Sequence, residues 1–304
     1  MALSVTHCAQ RTVRIATPKA ILLLLVAAAL CAAAGSAHAE EYSAEATSSR
    51  SAREQALKEI PWAKLSRQDQ RMTQYVVRKA SLFRRSPTHA FDCDPEVFNF
   101  LSQHPEVVVN VWNLMGVSNL SLVRRPDDVF QAADQAGAEG ALRVMHADYQ
   151  PDCRNTVVVF ADGRYQAGPM PDAIDAHCVL LLRSASRRET NGRTYVTARL
   201  DSFVRFENVG ADLLAKTLKP LLVKSADHNF TETMKFVSTF SRTAEQRPDG
   251  LLNLTQRLDK VDEKTRLELA DLCRQTAAKL ASTLRSDEAV QLAKLQQPGE
   301  DASR

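Results

Sequence analysis

The sequence lacks the short motifs that identify the common classes of enzyme and metal protein. It contains no G-x-S-x-G of a serine hydrolase, no H-E-x-x-H of a zinc protease and no phosphate-binding Walker loop. No two cysteines have C-x-x-C spacing, which excludes a zinc ribbon and a thioredoxin-type redox motif. We therefore assign no catalytic residue, no metal ligand and no cofactor from the sequence, and an enzymatic role stays an open alternative.

Without residues 1–39, the chain also has no net charge. The whole chain has 39 Lys and Arg side chains against 36 Asp and Glu. Residues 1–39 hold three of the basic side chains and none of the acidic ones, which leaves 36 of each sign. A chain without net charge has no bulk electrostatic reason to bind nucleic acid or an anionic membrane. We expect no nucleic-acid partner.

What the chain does have, at its start, is the pattern of an export signal. A positively charged stretch precedes an apolar run, and small residues then stand at the positions that a signal peptidase reads. The run is shorter than the roughly 20 apolar residues of a membrane helix. These parts are Arg11, Arg14 and Lys19, then 21–34, then Ala37-His38-Ala39. We expect cleavage near Ala39 and a soluble exported protein, in the periplasm or outside the cell.

Two alternatives to a cleaved signal stay open. Cys31 lies inside the apolar run, as the cysteine of a bacterial lipoprotein would, but Leu30 stands where lipid attachment requires a small residue. The signal could also remain uncleaved as an anchor.

Four cysteines lie outside the signal, at Cys93, Cys153, Cys178 and Cys273. Outside the cytoplasm an even number permits one or two disulfides, and four cysteines allow three connectivities. The alternative is that they are small buried apolar residues.

Changes in periodicity divide the remaining chain into segments. A stretch rich in Ser, Ala and Glu predicts a disordered leader. Helical spacing follows, then an α+β region, then a helical pair and a frayed tail. The boundaries are 40–51 for the leader, 52–81 for the N-terminal helical extension, 82–246 for the α+β domain, 247–296 for the C-terminal helical appendage and 297–304 for the disordered tail.

Helix start signals are clear in two places. Ser66 with Asp69 predicts a helix start within the N-terminal extension. Asp94-Pro95 places an N-cap residue before a proline at the first helical position, and His104-Pro105-Glu106 repeats the signal. Gly116 is suited to end the second of these helices.

From residue 118 to 207 the period changes from 3.6 to 2, which predicts an antiparallel meander. Asp162-Gly163 and Asn191-Gly192 lie between apolar runs and predict hairpin turns. The last strand alternates cleanly up to Phe206, so one face of the sheet is packed and the other is wetter. A strand this long must twist and bend, which makes the packed face concave.

Helical periodicity returns after Gly210, over 211–218 and from Pro220 to about Glu245. The later part has one apolar side, so we expect it to lie across the sheet.

The segment Asp94-Pro95-Glu96-Val97-Phe98-Asn99-Phe100-Leu101, followed by His104-Pro105-Glu106 and Trp112, resembles the START-like superfamily. This group is also called SRPBCC or polyketide-cyclase-like, and the resemblance covers about residues 82–245. It implies an α+β helix-grip fold, in which a curved antiparallel sheet clasps a long C-terminal helix, here with extra N- and C-terminal helices. It also implies a cavity for lipids, sterols, polyketides or other apolar molecules.

The chain is also similar to a group of uncharacterised exported proteins of planctomycete bacteria. Three segments carry this likeness: Ile60-Pro61-Trp62, Ser81-Leu82-Phe83-Arg84-Arg85 and Thr190-Asn191-Gly192-Arg193. This likeness favours an exported location and implies no activity.

The packed face of the sheet and the apolar side of the late helix supply our candidate ligand-binding residues. Ser202 is the polar member, and it could instead bond a neighbouring carbonyl. The competing interpretation is a filled core without a cavity. The candidates are Leu180, Leu182, Ala198, Leu200, Ser202, Phe230, Met234 and Val237.

Other polar groups are interpreted as structural. His146 with Asp148, and Asp227 with His228, have no third ligand at a recognisable spacing. A set of charged residues on the wetter face is expected to form a solvated or helix-covered ion network. It could clamp an anionic head group only if that face were the concave one. The set is Arg183, Arg199, Asp201 and Arg205.

Three functions remain in order of preference. The first is an exported, non-enzymatic protein that binds an apolar small molecule or lipid between sheet and helix, with transient membrane contact as a further expectation. The second is a cell-envelope interaction or scaffold protein with a filled core. The third is a cyclase- or hydrolase-like enzyme. The sequence identifies no protein partner.

Overall fold

The computed structural model describes residues 45–166, 173–207, 209–210 and 219–295. The predicted signal at 1–39, the predicted helix at 211–218 and the predicted tail at 297–304 lie outside the described residues. Seven α-helices occur in the described part: α1 Arg50–Glu59, α2 Arg67–Arg78, α3 Pro95–Gln103, α4 Pro105–Leu114, α5 Lys219–Gln246, α6 Pro248–Thr255 and α7 Glu263–Leu295. A 3-10 turn, Trp62–Lys64, lies between α1 and α2.

Eight antiparallel strands form one curved, unclosed sheet in the described part of the chain. The strands are β1 Leu82–Arg85, β2 His89–Asp92, β3 Ser121–Arg125, β4 Val129–Ala133, β5 Ala138–Asp148, β6 Thr156–Tyr165, β7 Ile174–Arg188 and β8 Thr194–Glu207. Their order is β1-β8-β7-β6-β5-β4-β3, and β2 also pairs with β8. The chain is therefore α+β. The short strands β1 and β2 pair with the side of β8 that β7 leaves open.

The hairpin prediction is confirmed at one site and wrong at the other. Gly192 has φ 77° in the turn between β7 and β8, where a left-handed residue is required. Asp162 and Gly163 instead lie inside β6, where Asp162 pairs with His177 and Gly163 with Ala176. Cross-strand pairing on both sides of β6 outweighs the local turn preference of this dipeptide.

The helix starts predicted at Ser66 and Asp94 are confirmed by their capping contacts, and α4 begins at Pro105 as predicted but without a side-chain cap. The Ser66 hydroxyl accepts a hydrogen bond from the Asp69 amide at 3.1 Å. The Asp94 carboxylate accepts from the Glu96 amide at 2.7 Å, with Pro95 at the first position of α3. Such caps satisfy amides that have no partner inside the helix.

Regular structure begins before the predicted leader boundary at residue 51 in the described part of the chain. Thr47 forms a β-bridge with Arg85, through backbone hydrogen bonds of 2.9 and 2.8 Å. Ser49 caps α1 by accepting from the Ala52 amide. Ala52 and Ala56, which belong to the predicted helical extension, are buried, so their small side chains allow close packing of α1.

The two faces of the sheet carry separate apolar clusters. On one face, which we call the inner face, residues of β8 share a cluster with α3, α4, α5 and α7, including Phe98, Trp112, Phe230 and Leu269. On the outer face, α1 and α2 pack against β6, β7 and β8 through residues such as Val76 and Phe203. Helices therefore cover the face that we expected to be wetter.

The charged residues of the outer face form the expected network in its helix-covered arrangement. Glu59 of α1 pairs with Arg183 at 3.1 Å and also with Arg199. Asp201 is fully buried and accepts a hydrogen bond from Arg85 at 2.6 Å. None of these four residues lines the cavity described below, so the alternative of an anion clamp does not apply to it.

The four cysteines of the described chain are free and buried. Burial raises the pKa of the Cys178 thiol to about 12 and that of Cys273 to about 11. The sequence leaves open either disulfides or small buried cysteines, and the structure has buried free thiols.

No helix among the described residues has the length and apolar character needed to cross a membrane.

Candidate functional site

A cavity of about 480 Å³ lies between the inner face of the sheet and helices α3, α4 and α5. It falls within the roughly 300–1,000 Å³ of small-molecule pockets. Strands β3 to β8 supply the floor, and the three helices supply the opposite wall. The apolar wall residues are Phe98, Leu101, Pro105, Val108, Val109, Trp112, Leu122, Phe130, Leu142, Val144, Ala147, Val157, Val159, Leu180, Leu182, Leu200, Phe230, Met234 and Val237.

The structure places six of the eight candidate residues on this wall. They are Leu180, Leu182, Leu200, Phe230, Met234 and Val237. Ala198 is fully buried in the apolar cluster beside the cavity. Ser202 lies further along β8 and is 2 % exposed. Its hydroxyl has no hydrogen-bond partner among the described residues, so the alternative of a bond to a neighbouring carbonyl is not formed there. Whether the six bind a ligand stays a prediction.

Polar side chains gather at one end of the cavity, which we call the mouth. Asp128 lines the cavity and yet its side chain is 68 % exposed, so this end is open to solvent. Away from the mouth, Thr233 is the only polar residue on the described wall, and its hydroxyl donates to the Asn229 carbonyl at 2.9 Å. The mouth consists of Ser102, Gln103, His104, Arg124, Asp128 and Tyr149.

Arg124 is a cation of the mouth, and each of its three guanidinium nitrogens donates a hydrogen bond to an acceptor of the protein. Its Nε donates to Glu106 at 3.0 Å and one terminal nitrogen donates to Asp128 at 3.0 Å. The other terminal nitrogen donates to the Gln103 carbonyl. The guanidinium also lies 4.5 Å from the centre of the Phe130 ring. These contacts fix Arg124 in place and compensate its charge.

Glu106 is a buried carboxylate behind the cavity wall, with 2 % exposure. The same oxygen that accepts from Arg124 lies 3.2 Å from Nδ1 of His104. The imidazole of His104 is stacked on Phe100, with ring centres 4.5 Å apart. A buried charge is tolerated when it is paired in this way, so Glu106 anchors both basic groups of the mouth.

Tyr149 contributes a hydroxyl that stays protonated. It donates to the Ser102 carbonyl at 3.1 Å. Burial raises the pKa of Tyr149 above the usual range of a phenol. Tyr149 thus joins β5 to the end of α3 without adding charge to the mouth.

The turn between β3 and β4 holds Asp128 at the mouth in an uncommon backbone conformation. Asp127 has φ 60° and Asp128 has φ 52°. Two consecutive left-handed residues other than glycine are strained, although Asp and Asn tolerate this region better than most.

The histidine pairs from the sequence do not come together as a metal site. Asp148 pairs with Lys64 at 2.9 Å, and Asp227 pairs with Arg84. Burial, together with the nearby charge of Lys64, lowers the pKa of His146. Within the described residues, no group of three or more His, Cys, Asp or Glu side chains is arranged to hold a metal ion.

Comparisons with known proteins identify no family for this chain. No protein-family profile and no curated protein match the sequence. Among solved structures, a conserved protein from Geobacillus kaustophilus is 13 % identical, with a TM-score of 0.36 over 54 % of this chain and 97 % of its own. A hypothetical protein from Helicobacter pylori is 13 % identical, with a TM-score of 0.35 over 56 % of this chain and 93 % of its own. Likenesses this low assign neither family nor activity.

Proposed function

We propose that the protein binds one apolar small molecule in the cavity, as a helix-grip domain of the START-like kind would. The observation that carries the proposal is an unfilled apolar space of about 480 Å³ whose polar groups lie at one end. A pocket with a mostly apolar wall and few polar groups is the usual form of a site for such ligands. Burial of ligand surface against that wall would supply the binding free energy.

The alternative of a scaffold protein with a filled core has less support. It requires a dense interior, whereas space remains between the sheet and α5. It also requires an exposed apolar patch on the terminal helices. The large exposed apolar side chains of the described residues stand singly, as Tyr75 on α2, Met115 after α4 and Leu267 on α7.

Tryptophan fluorescence tests the proposal, because Trp112 lies on the cavity wall and Trp62 packs on the outer face. Titration with the neutral probe N-phenyl-1-naphthylamine is expected to give saturable 1:1 binding, with energy transfer from Trp112. Trp62→Phe should keep the transfer, whereas Trp112→Phe should lose most of it and still bind the probe. Absence of any probe response in the folded protein would remove the proposal.

We also propose that the protein is exported and that its signal is removed after Ala39. Expression in a bacterium should place the protein outside the cytoplasm, with Glu40 as its first residue. N-terminal sequencing of the exported fraction measures this. A chain that keeps residues 1–39 and sediments with membranes would favour an anchor instead.

A further inference from the structure

We infer that the guest is a single-chain amphiphile with an uncharged polar head, and that Asp128 selects against carboxylates at the mouth. This inference rests on the proposed function and adds the chemical class of the ligand. It follows from the size of the cavity, from the position of its polar groups and from the charges of the mouth.

The volume limits the guest to one chain. A cavity of about 480 Å³ lies in the lower half of the roughly 300–1,000 Å³ range of pockets that bury one small ligand. One alkyl chain of moderate length or one small ring system fits within this limit. A phospholipid with two long chains does not.

The position of the polar groups fixes the orientation of the guest. Six polar residues form the mouth, and Thr233 is the only polar residue on the rest of the described wall. An amphiphile therefore lowers its free energy by placing its tail against Trp112, Leu182 and Leu200. Its head then lies beside Arg124, Asp128 and Tyr149, where water also reaches.

The charges of the mouth disfavour an anionic head. Arg124 is paired with both Glu106 and Asp128, so two carboxylates already compensate one guanidinium. The formal charges of Arg124, Glu106 and Asp128 sum to one negative charge. A ligand carboxylate would meet no uncompensated cation there and would approach the exposed Asp128. A hydroxyl or ester head avoids this repulsion and can still bond Tyr149, Ser102 or Gln103.

The β3–β4 turn provides a matched pair of variants. Asp127 and Asp128 are adjacent, are both exposed and both have positive φ, but only Asp128 lines the cavity. Asn tolerates this conformation as Asp does, so Asp127→Asn and Asp128→Asn make the same change in net charge with little change in shape. Only Asp128→Asn removes a negative charge that is paired with Arg124 at the mouth.

The test compares 1-monododecanoylglycerol with dodecanoate at pH 8, below their aggregation concentrations, by displacement of N-phenyl-1-naphthylamine. The wild type should bind the neutral ligand at least about tenfold more tightly. Asp128→Asn should reduce this ratio by about tenfold, mainly through tighter dodecanoate binding. Asp127→Asn should leave the ratio close to that of the wild type.

Each other outcome overturns a specific part. Dodecanoate binding as tightly as the monoglyceride to the wild type contradicts the uncharged head. If the two Asn variants change the affinity ratio equally, only the net charge of the protein matters, and Asp128 has no specific role in selection. In both cases the proposed function stands, because a ligand still binds. If the probe and both amphiphiles fail to bind, the proposed function itself is wrong.

Discussion

Leu182→Trp is expected to weaken binding of N-phenyl-1-naphthylamine at least about tenfold while leaving the fold intact. Leu182 projects into the cavity from β7, opposite Leu200 of β8. The larger indole can enter empty space instead of displacing packed neighbours, so the free energy of unfolding should stay within about 1 kcal/mol of the wild type. The probe loses the volume that the indole occupies. Fluorescence titration and urea denaturation measure the two effects.

The neighbouring residue supplies the control, because it points to the other face of the same strand. Leu181 is fully buried in the outer cluster with Val179 and Phe203. An indole at that position overpacks a dense region, which costs about 1–3 kcal/mol. Leu181→Trp should therefore lose stability and, below its unfolding transition, bind the probe as the wild type does. The same response from both variants would contradict the assignment of the cavity face.

Asp201→Asn is expected to destabilise the protein by roughly 3 kcal/mol, since removing one partner leaves a largely buried cation uncompensated. Arg85 donates to both oxygens of Asp201, at 2.6 and 3.1 Å, and its side chain is only 11 % exposed. Arg199 lies 3.4 Å from the same carboxylate. Chemical denaturation measures the change.

Two further variants show whether the loss comes from the buried charge. Glu207 lies on the same strand and pairs with Arg205 at 2.7 Å, but its side chain is 26 % exposed. Glu207→Gln should change the stability by less than about 1 kcal/mol. The double variant Arg85→Met with Asp201→Leu removes both charges and should be more stable than Asp201→Asn. A double variant with a lower free energy of unfolding than Asp201→Asn would show that the ion pair itself contributes most of the stabilisation at this position.

Much of the fold was predictable because local signals and tertiary packing agree there. Asp94-Pro95 begins a helix in the sequence and in the structure, and Asn191-Gly192 makes the turn that both strands beside it require. Asp162-Gly163 shows the limit of this reasoning. Its pairing with β5 and β7 depends on residues far along the chain, and a dipeptide preference carries no information about them.

The cavity wall was predictable only in part, for a related reason. Leu180, Leu182 and Leu200 follow from strand alternation, and Phe230 with Met234 follows from helical spacing. The mouth combines the junction of α3 and α4, the β3–β4 turn and the end of β5. These segments are distant in sequence, and no periodicity connects Arg124 with Glu106 or Tyr149 with Ser102. The sequence indicated that Glu106 belongs to a helix start, but it did not indicate that Glu106 is buried.

Native mass spectrometry of the purified protein with N-phenyl-1-naphthylamine tests most directly whether the space between sheet and helices admits a guest. The account predicts one bound molecule per chain in the wild type, and a strongly reduced signal in Leu182→Trp. An apo mass alone at excess probe, or adducts of equal abundance in both proteins, would contradict it.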